Sequence, residues 1–163
     1  MSPDNSNFSP QEPDRLDELV DGDPVGENDP PIRGGRTGSR AAVVQALYES
    51  DSSGHPAVAT VRRLAMERDL DDDDIDFATR LVRVCEDQRE ALDSRIANIA
   101  SKYPTEQMPL VERNVLRVAM AELEIPDAAP QNVVANEAVE LARLFGSDTS
   151  PKFVNGVLGA LLA

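Results

Sequence analysis

The 163-residue chain is long enough to bury one core, and its 40% hydrophobic content includes only 4% aromatic side chains, so the core must be aliphatic. A net charge of −14 argues against a uniformly polyanion-binding surface. Other classes fall away too: no apolar run approaches the roughly 18 residues of a membrane span, and the N-terminus MSPDNSNFSPQEPD lacks the basic and apolar regions of a secretory signal.

Residues 1–35 hold nine acidic residues against two arginines, a net of −7, with six of the twelve prolines and almost no large apolar side chain. Such a segment cannot offset its ordering entropy and is expected to be a disordered acidic tail. It reads first as a solubilising extension and second as a competitor for nearby arginines. Residues 36–163 are expected to form one all-helical domain. No acidic residue lies between Pro30 and Tyr48, whereas Arg33, Arg36 and Arg40 do, so a basic strip is embedded in an acidic protein. The first helix is predicted from Ser39 to about Ser50, with Val43, Val44 and Leu47 inward. Ser52-Ser53-Gly54-His55-Pro56 breaks the chain, and a second helix carries Val58, Val61, Leu64 and Ala65.

Asp71–Asp74 precedes a single long helix with Phe77, Leu81, Val84, Leu92, Ile96 and Ile99 on its apolar stripe, ended by Tyr103-Pro104. The aspartates read as an N-cap with favourable first-turn charge. A calcium loop fails, because Asp69, Asp71 and Asp73 as ligands put Asp74 where glycine is needed and Arg80 where glutamate is needed. Pro109 opens the next helix, through Leu116, Ala119, Met120 and Leu123, and Pro126 stops it. Glu112, Arg113, Glu122 and Glu124 read as its solvated face.

The last third, Asn136–Leu162, holds two short helices. The first is expected to bury Val134, Ala138, Leu141 and Phe145, with Gly146 as a left-handed stop. Asp148-Thr149-Ser150-Pro151 then restarts the chain with a hydroxyl N-cap and an early proline. Lys152 and Phe153 follow at the positive helix end: a cation, free N–H groups and a ring. Phe153 also fits a core stripe with Val157 and Leu161. Asn136 and Asn155 read as cross-helix ties, and Gly156 and Gly159 as points of close helix approach.

Three motifs, in order, carry a resemblance: Val44-Gln45-Ala46-Leu47-Tyr48; Glu112-Arg113-Asn114-Val115-Leu116-Arg117-Val118-Ala119 with Glu122-Leu123; and Asn136-Glu137-Ala138, Phe145-Gly146, Lys152-Phe153-Val154-Asn155-Gly156-Val157-Leu158. Spanning roughly residues 36–162, they resemble the NusB family of bacterial transcription antitermination factors. The resemblance implies an all-α NusB-like bundle that binds single-stranded boxA RNA with the ribosomal-protein partner NusE, close to RNA polymerase. It implies RNA contacts at Arg33, Arg36, Arg40, Tyr48, Lys152 and Phe153, and NusE contacts at Arg80, Arg83, Glu112 and Arg113. Gly34, Gly35, Thr37 and Gly38 stand where the family is often basic, which implies weaker RNA affinity for the isolated protein.

The family also admits a homodimer and a module of RNA methyltransferases, while the glycine-interrupted arginine strip and the acidic balance leave a helical protein-binding adaptor as a further reading. No catalytic constellation or nucleotide-binding loop is present in the sequence, and neither a cofactor nor a metal is expected. One histidine (His55) and one cysteine (Cys85), far apart, make neither a zinc site nor an internal disulfide, which fits a reducing cytoplasm.

Overall fold

The computed structural model describes residues 34–101 and 107–163, in which the chain forms seven α-helices and no strand. These are α1 (Gly35–Ser53), α2 (Ala57–Glu67), α3 (Asp72–Asp87), α4 (Arg89–Ile99), α5 (Leu110–Glu122), α6 (Gln131–Phe145) and α7 (Ser150–Leu161). The expected all-helical class is what folds. The tail expected over residues 1–35 lies outside the described residues except for Gly34 and Gly35, as do Arg33 and the Tyr103-Pro104 stop.

Two helices are buried on nearly every side and organise the rest. α1 buries Ala41, Ala42, Val43, Val44, Ala46 and Leu47, and packs on α2, α3 and α5. Its alanines permit that close approach. The helix starts four residues earlier than expected: Gly35, at φ 67°, carries the chain into it, so Arg36 and Arg40 belong to the helix body. Gly54, at φ 86°, ends it, donating its N–H to the Ser50 carbonyl at 2.8 Å. α5 buries Val115, Leu116, Val118, Ala119, Met120 and Ala121, with α6, α7 and α4 around it. It turns out at Leu123–Ile125, just ahead of Pro126.

The predicted long helix after Asp71 is two helices. Gln88, at φ −111° and ψ 21°, leaves the helical region and re-aims the chain. The bend places Arg89 against half-buried Asp51 of α1 and Asp93 against buried Arg117 of α5, and leaves Ile99 exposed rather than on the core stripe. Asp71 caps α3 as expected, accepting from the Asp74 N–H at 2.9 Å.

The α6–α7 joint keeps the expected apolar set of Val134, Ala138, Leu141 and Phe145 but differs in its turn. Gly146 is extended (φ −101°, ψ −160°), not left-handed. Glycine is needed for room: a Cβ there would sit 2.6 Å from Ser150 Cβ and 2.8 Å from the Ala142 carbonyl oxygen. The hydroxyl N-cap is also absent, since Thr149 makes no side-chain cap bond. Ser150 Oγ instead accepts from the Ser147 N–H and donates to Glu112 on α5.

Among the described residues nothing lies within 4 Å of a Cβ added at Gly156 or Gly159, so neither is a point of close helix approach there. Glycine in a helix interior costs roughly 0.5–1 kcal/mol relative to alanine. Gly159→Ala is therefore expected to raise stability by about 0.5–1 kcal/mol, read as a higher urea midpoint at unchanged slope. A loss of stability would mean that something packs on that face.

Candidate nucleic-acid interface

The basic strip at the start of α1 divides into an outer and an inner arginine. Arg40 is the inner one, only 5% exposed. Its Nε and Nη2 donate to the two carboxylate oxygens of Glu122, each at 2.7 Å, and Nη1 donates to Glu137 at 3.2 Å. Thr37 Oγ1 donates to the same Glu137 oxygen at 2.9 Å. Burial alone lowers the Arg40 pKa, but the Glu122 bonds and the charge of both carboxylates outweigh it and hold it above its usual value. The expectation that Arg40 meets RNA phosphates from a flexible helix start is thus corrected. It is a fork held between α5 and α6, its N–H edges taken by Glu122 and Glu137 and its surface only 5% exposed.

Arg36 is the outer arginine, its side chain 36% exposed. The guanidinium carbon lies 4.3 Å from the Phe77 ring centroid, and those of Arg80 and Arg40 lie at 5.7 and 5.9 Å. Three cations thus surround one buried ring, whose negative face lowers the cost of assembling them. Arg36 also reaches the Asp73 and Asp74 carboxylates, at 3.4 Å each, and the Asp73 carbonyl at 3.3 Å. These contacts are long beside the 2.7 Å pairs of Arg40, and the one to Asp73 faces solvent.

Arg80 pairs with Asp76 at 3.4 Å and Asp127 at 3.3 Å. The Asp127 hydrogen bond raises the Arg80 pKa, and Asp127 is lowered in turn.

Lys152 projects from α7, exposed and without an ion-pair partner among the described residues. Phe153 beside it is half-buried against the core, and Tyr48 is half-buried on α1. The basic strip and the Lys152 turn are anchored at opposite ends of α5. Arg40 is tied to Glu122 at the C-terminal end of α5, whereas Ser150, two residues before Lys152, is tied to Glu112 at its N-terminal end. Ten residues of helix separate those anchors, about 15 Å along the axis at 1.5 Å per residue. A ligand touching both has to be extended.

The expected solvated face of α5 is also corrected. Glu122 is 1% and Glu112 7% exposed, because both carboxylates are consumed inside the bundle, which removes Glu112 from the surface available to a partner. Arg113 is half-buried and Arg83 exposed. Asn136 and Asn155 are exposed and are not the cross-helix ties; Glu137 and the buried Asn114 take that role.

Sequence reasoning missed a second buried network. Arg117, 2% exposed, donates through Nε and Nη2 to Asp93 of α4, both at 2.7 Å, and through Nη1 to Asn114 at 2.9 Å. Asp51 of α1 accepts from Asn114 at 3.1 Å and from Arg89 at 3.2 Å. The available signal was α5 itself: a helix apolar around most of its circumference has no room for a wet face, so its Asn, Arg and Glu must be paired inside.

Together the fold and the site define an all-α bundle stapled by two buried ion networks, with separated cationic positions on its outside. Among the described residues there is no cluster of metal-ligating side chains, and no helix is long and apolar enough to cross a membrane. Residues 37–163 match the NusB family, and the chain belongs to that family. The transcription antitermination protein NusB of Dehalococcoides mccartyi is 40% identical over 126 residues, covering 77% of this chain and 88% of the relative. That of Herpetosiphon aurantiacus is 42% identical, covering 76% and 86%.

Among solved structures, T. maritima NusB superposes with a TM-score of 0.73 at 29% identity, covering 78% of this chain and 89% of that one. A NusB solved with NusE and double-stranded RNA superposes with a TM-score of 0.69 at 28% identity, covering 77% and 94%.

Proposed function

We propose that this protein is a non-enzymatic transcription antitermination factor of the cytoplasm. It binds boxA RNA together with the ribosomal protein NusE and holds it near the transcribing polymerase in support of ribosomal RNA synthesis. The observation that carries the reading is likeness along almost the whole folded chain to a NusB captured with NusE and RNA. On the RNA side stand Arg33, Arg36, Tyr48, Lys152 and Phe153, with Arg40 reassigned to the scaffold. The arginines and Lys152 supply charge, and Phe153 and Tyr48 each offer one ring edge or face from a packed position. Arg80, Arg83 and Arg113 are the NusE-facing candidates.

A strip that keeps one of its arginines inside makes only a few phosphate contacts, so the NusB–NusE pair shares the RNA. Electrophoretic shift with a boxA oligonucleotide is expected to be weak for the chain alone and strong once NusE is added. If two to four phosphates are neutralised, log K should fall against log salt with a slope of roughly −1.4 to −2.8 for single-stranded RNA. Lys152→Ala should make that slope shallower by about 0.7. A slope near zero would remove the cationic footprint. NusE binding without RNA ever joining would make the protein a helical adaptor, a reading favoured by the internal commitment of Arg40 and the acid-paired state of Arg36.

A further inference from the structure

We infer that Asp73 and Asp74, in the first turn of α3, set the RNA affinity of this protein by competing with phosphate for the guanidinium of Arg36. The inference rests on the RNA-binding reading above. Arg36 is the described arginine of the basic strip that still faces solvent, and it is already engaged by acids. Its Nη2 meets the Asp73 carboxylate and its Nη1 the Asp74 carboxylate, both at 3.4 Å, with the Asp73 carbonyl at 3.3 Å.

The arrangement is held from behind. Phe77, one turn further along α3, lies 4.3 Å under the guanidinium, and Ser39 Oγ donates to the Asp74 carbonyl at 2.9 Å, tying α1 to the same turn. Arg36 is therefore positioned, while its charge is partly cancelled. The carboxylates are unequal: the Asp73 side chain is 80% exposed and that of Asp74 14%.

Competition has a thermodynamic signature that mere packing lacks. A phosphate that takes Arg36 from a carboxylate releases its own counterions, but the freed carboxylate gathers others, so little net release occurs. Without the carboxylates, the same contact releases about 0.7 counterion to the solution. The aspartates should therefore lower both the affinity and the magnitude of its salt dependence.

The test uses the full chain with a fluorescently labelled single-stranded boxA oligonucleotide, with NusE present, over a salt series. The D73N/D74N variant is expected to bind about three- to tenfold more tightly at low salt, as loss of one exposed and one part-buried ion pair would give, with a slope steeper by about 0.7. Adding Arg36→Ala to that variant should abolish the gain. Asp87→Asn with Glu90→Gln removes two charges near the far end of α3, about 21 Å away by helix rise, and should leave the slope unchanged. D73N alone, at a side chain mostly in water, gives the same direction of change should the double variant not fold.

Unchanged or weaker binding by D73N/D74N would overturn the inference, the weaker case making the aspartates supports of Arg36. So would a gain that survives Arg36→Ala, or one matched by the distant pair, since either is general electrostatics. Those outcomes leave the RNA reading intact. Absence of RNA binding by every variant with NusE bound would instead overturn that reading, and the inference with it.

Discussion

Arg40→Ala is expected to cost about 3–5 kcal/mol of folding stability, measured as a fall in the urea unfolding midpoint. Arg40 binds Glu122 through two 2.7 Å bonds, and Glu122 has no route to water at 1% exposure. Deleting the cation strands that carboxylate, and the penalty for an uncompensated buried charge exceeds anything the pair contributes by itself. Glu137 adds less, because its side chain is 26% exposed and rehydrates.

The two effects can be separated. Arg40→Met combined with Glu122→Leu removes both charges and should cost much less than Arg40→Ala, since buried pairs replaced by apolar residues of similar volume are often neutral. If Arg40→Ala cost under about 1 kcal/mol, water would have to reach Glu122, and the closed network described above would be wrong.

Arg117→Ala should have a loss of similar size, about 3–5 kcal/mol by the same measurement, composed differently. Asp93 is a quarter exposed and recovers some solvation, but Asn114 and Asp51 lose a donor in the interior, and a large buried side chain leaves a cavity. Burial lowers the Arg117 pKa, yet the Asp93 hydrogen bonds and charge hold it above the usual value, so the group stays cationic throughout any accessible pH range. Arg117→Lys is expected to recover only part of the loss. One ammonium cannot reproduce two parallel 2.7 Å bonds to Asp93 together with a third to Asn114. Full recovery would show that charge alone, and not the fork, matters here.

Much of the fold was legible because local chemistry announces it. Gly54 and Asp71 behave as their sequence contexts dictate, Pro109 stands at a helix N-cap as expected, and the Val134-Ala138-Leu141-Phe145 stripe is buried as spaced. The bend at Gln88 was not legible, since Asp87-Gln88-Arg89 contains neither glycine nor proline. Beyond the bend the chain presents Asp93 to Arg117 and Arg89 to Asp51, partners supplied by distant segments. Gly146 shows the same limit. Glycine was recognised as necessary, but the reason is crowding by Ser150 rather than a left-handed turn.

The candidate site divides along the same line. The basic strip, the Lys152-Phe153 joint and the family motifs can all be read along the chain, because composition and spacing are local properties. Whether an arginine faces water or a glutamate 82 positions away is not local. Arg36 and Arg40 are one turn apart on one helix, yet one is half in solvent and the other is sealed between Glu122 and Glu137. Glu112 looked like a surface acid for the same reason. Periodicity names a helix face, but only the packing of α6 and α7 onto α5 decides that this face is interior.

The sequence by itself therefore determined the helical class, several of the helix starts and stops, the family and the cationic residue types. The tertiary structure alone decided which charges are spent inside the bundle and which remain for a partner. The reason is physical: a charge's solvation and pairing depend on what other segments bring within a few ångströms, which residue spacing along one helix does not encode.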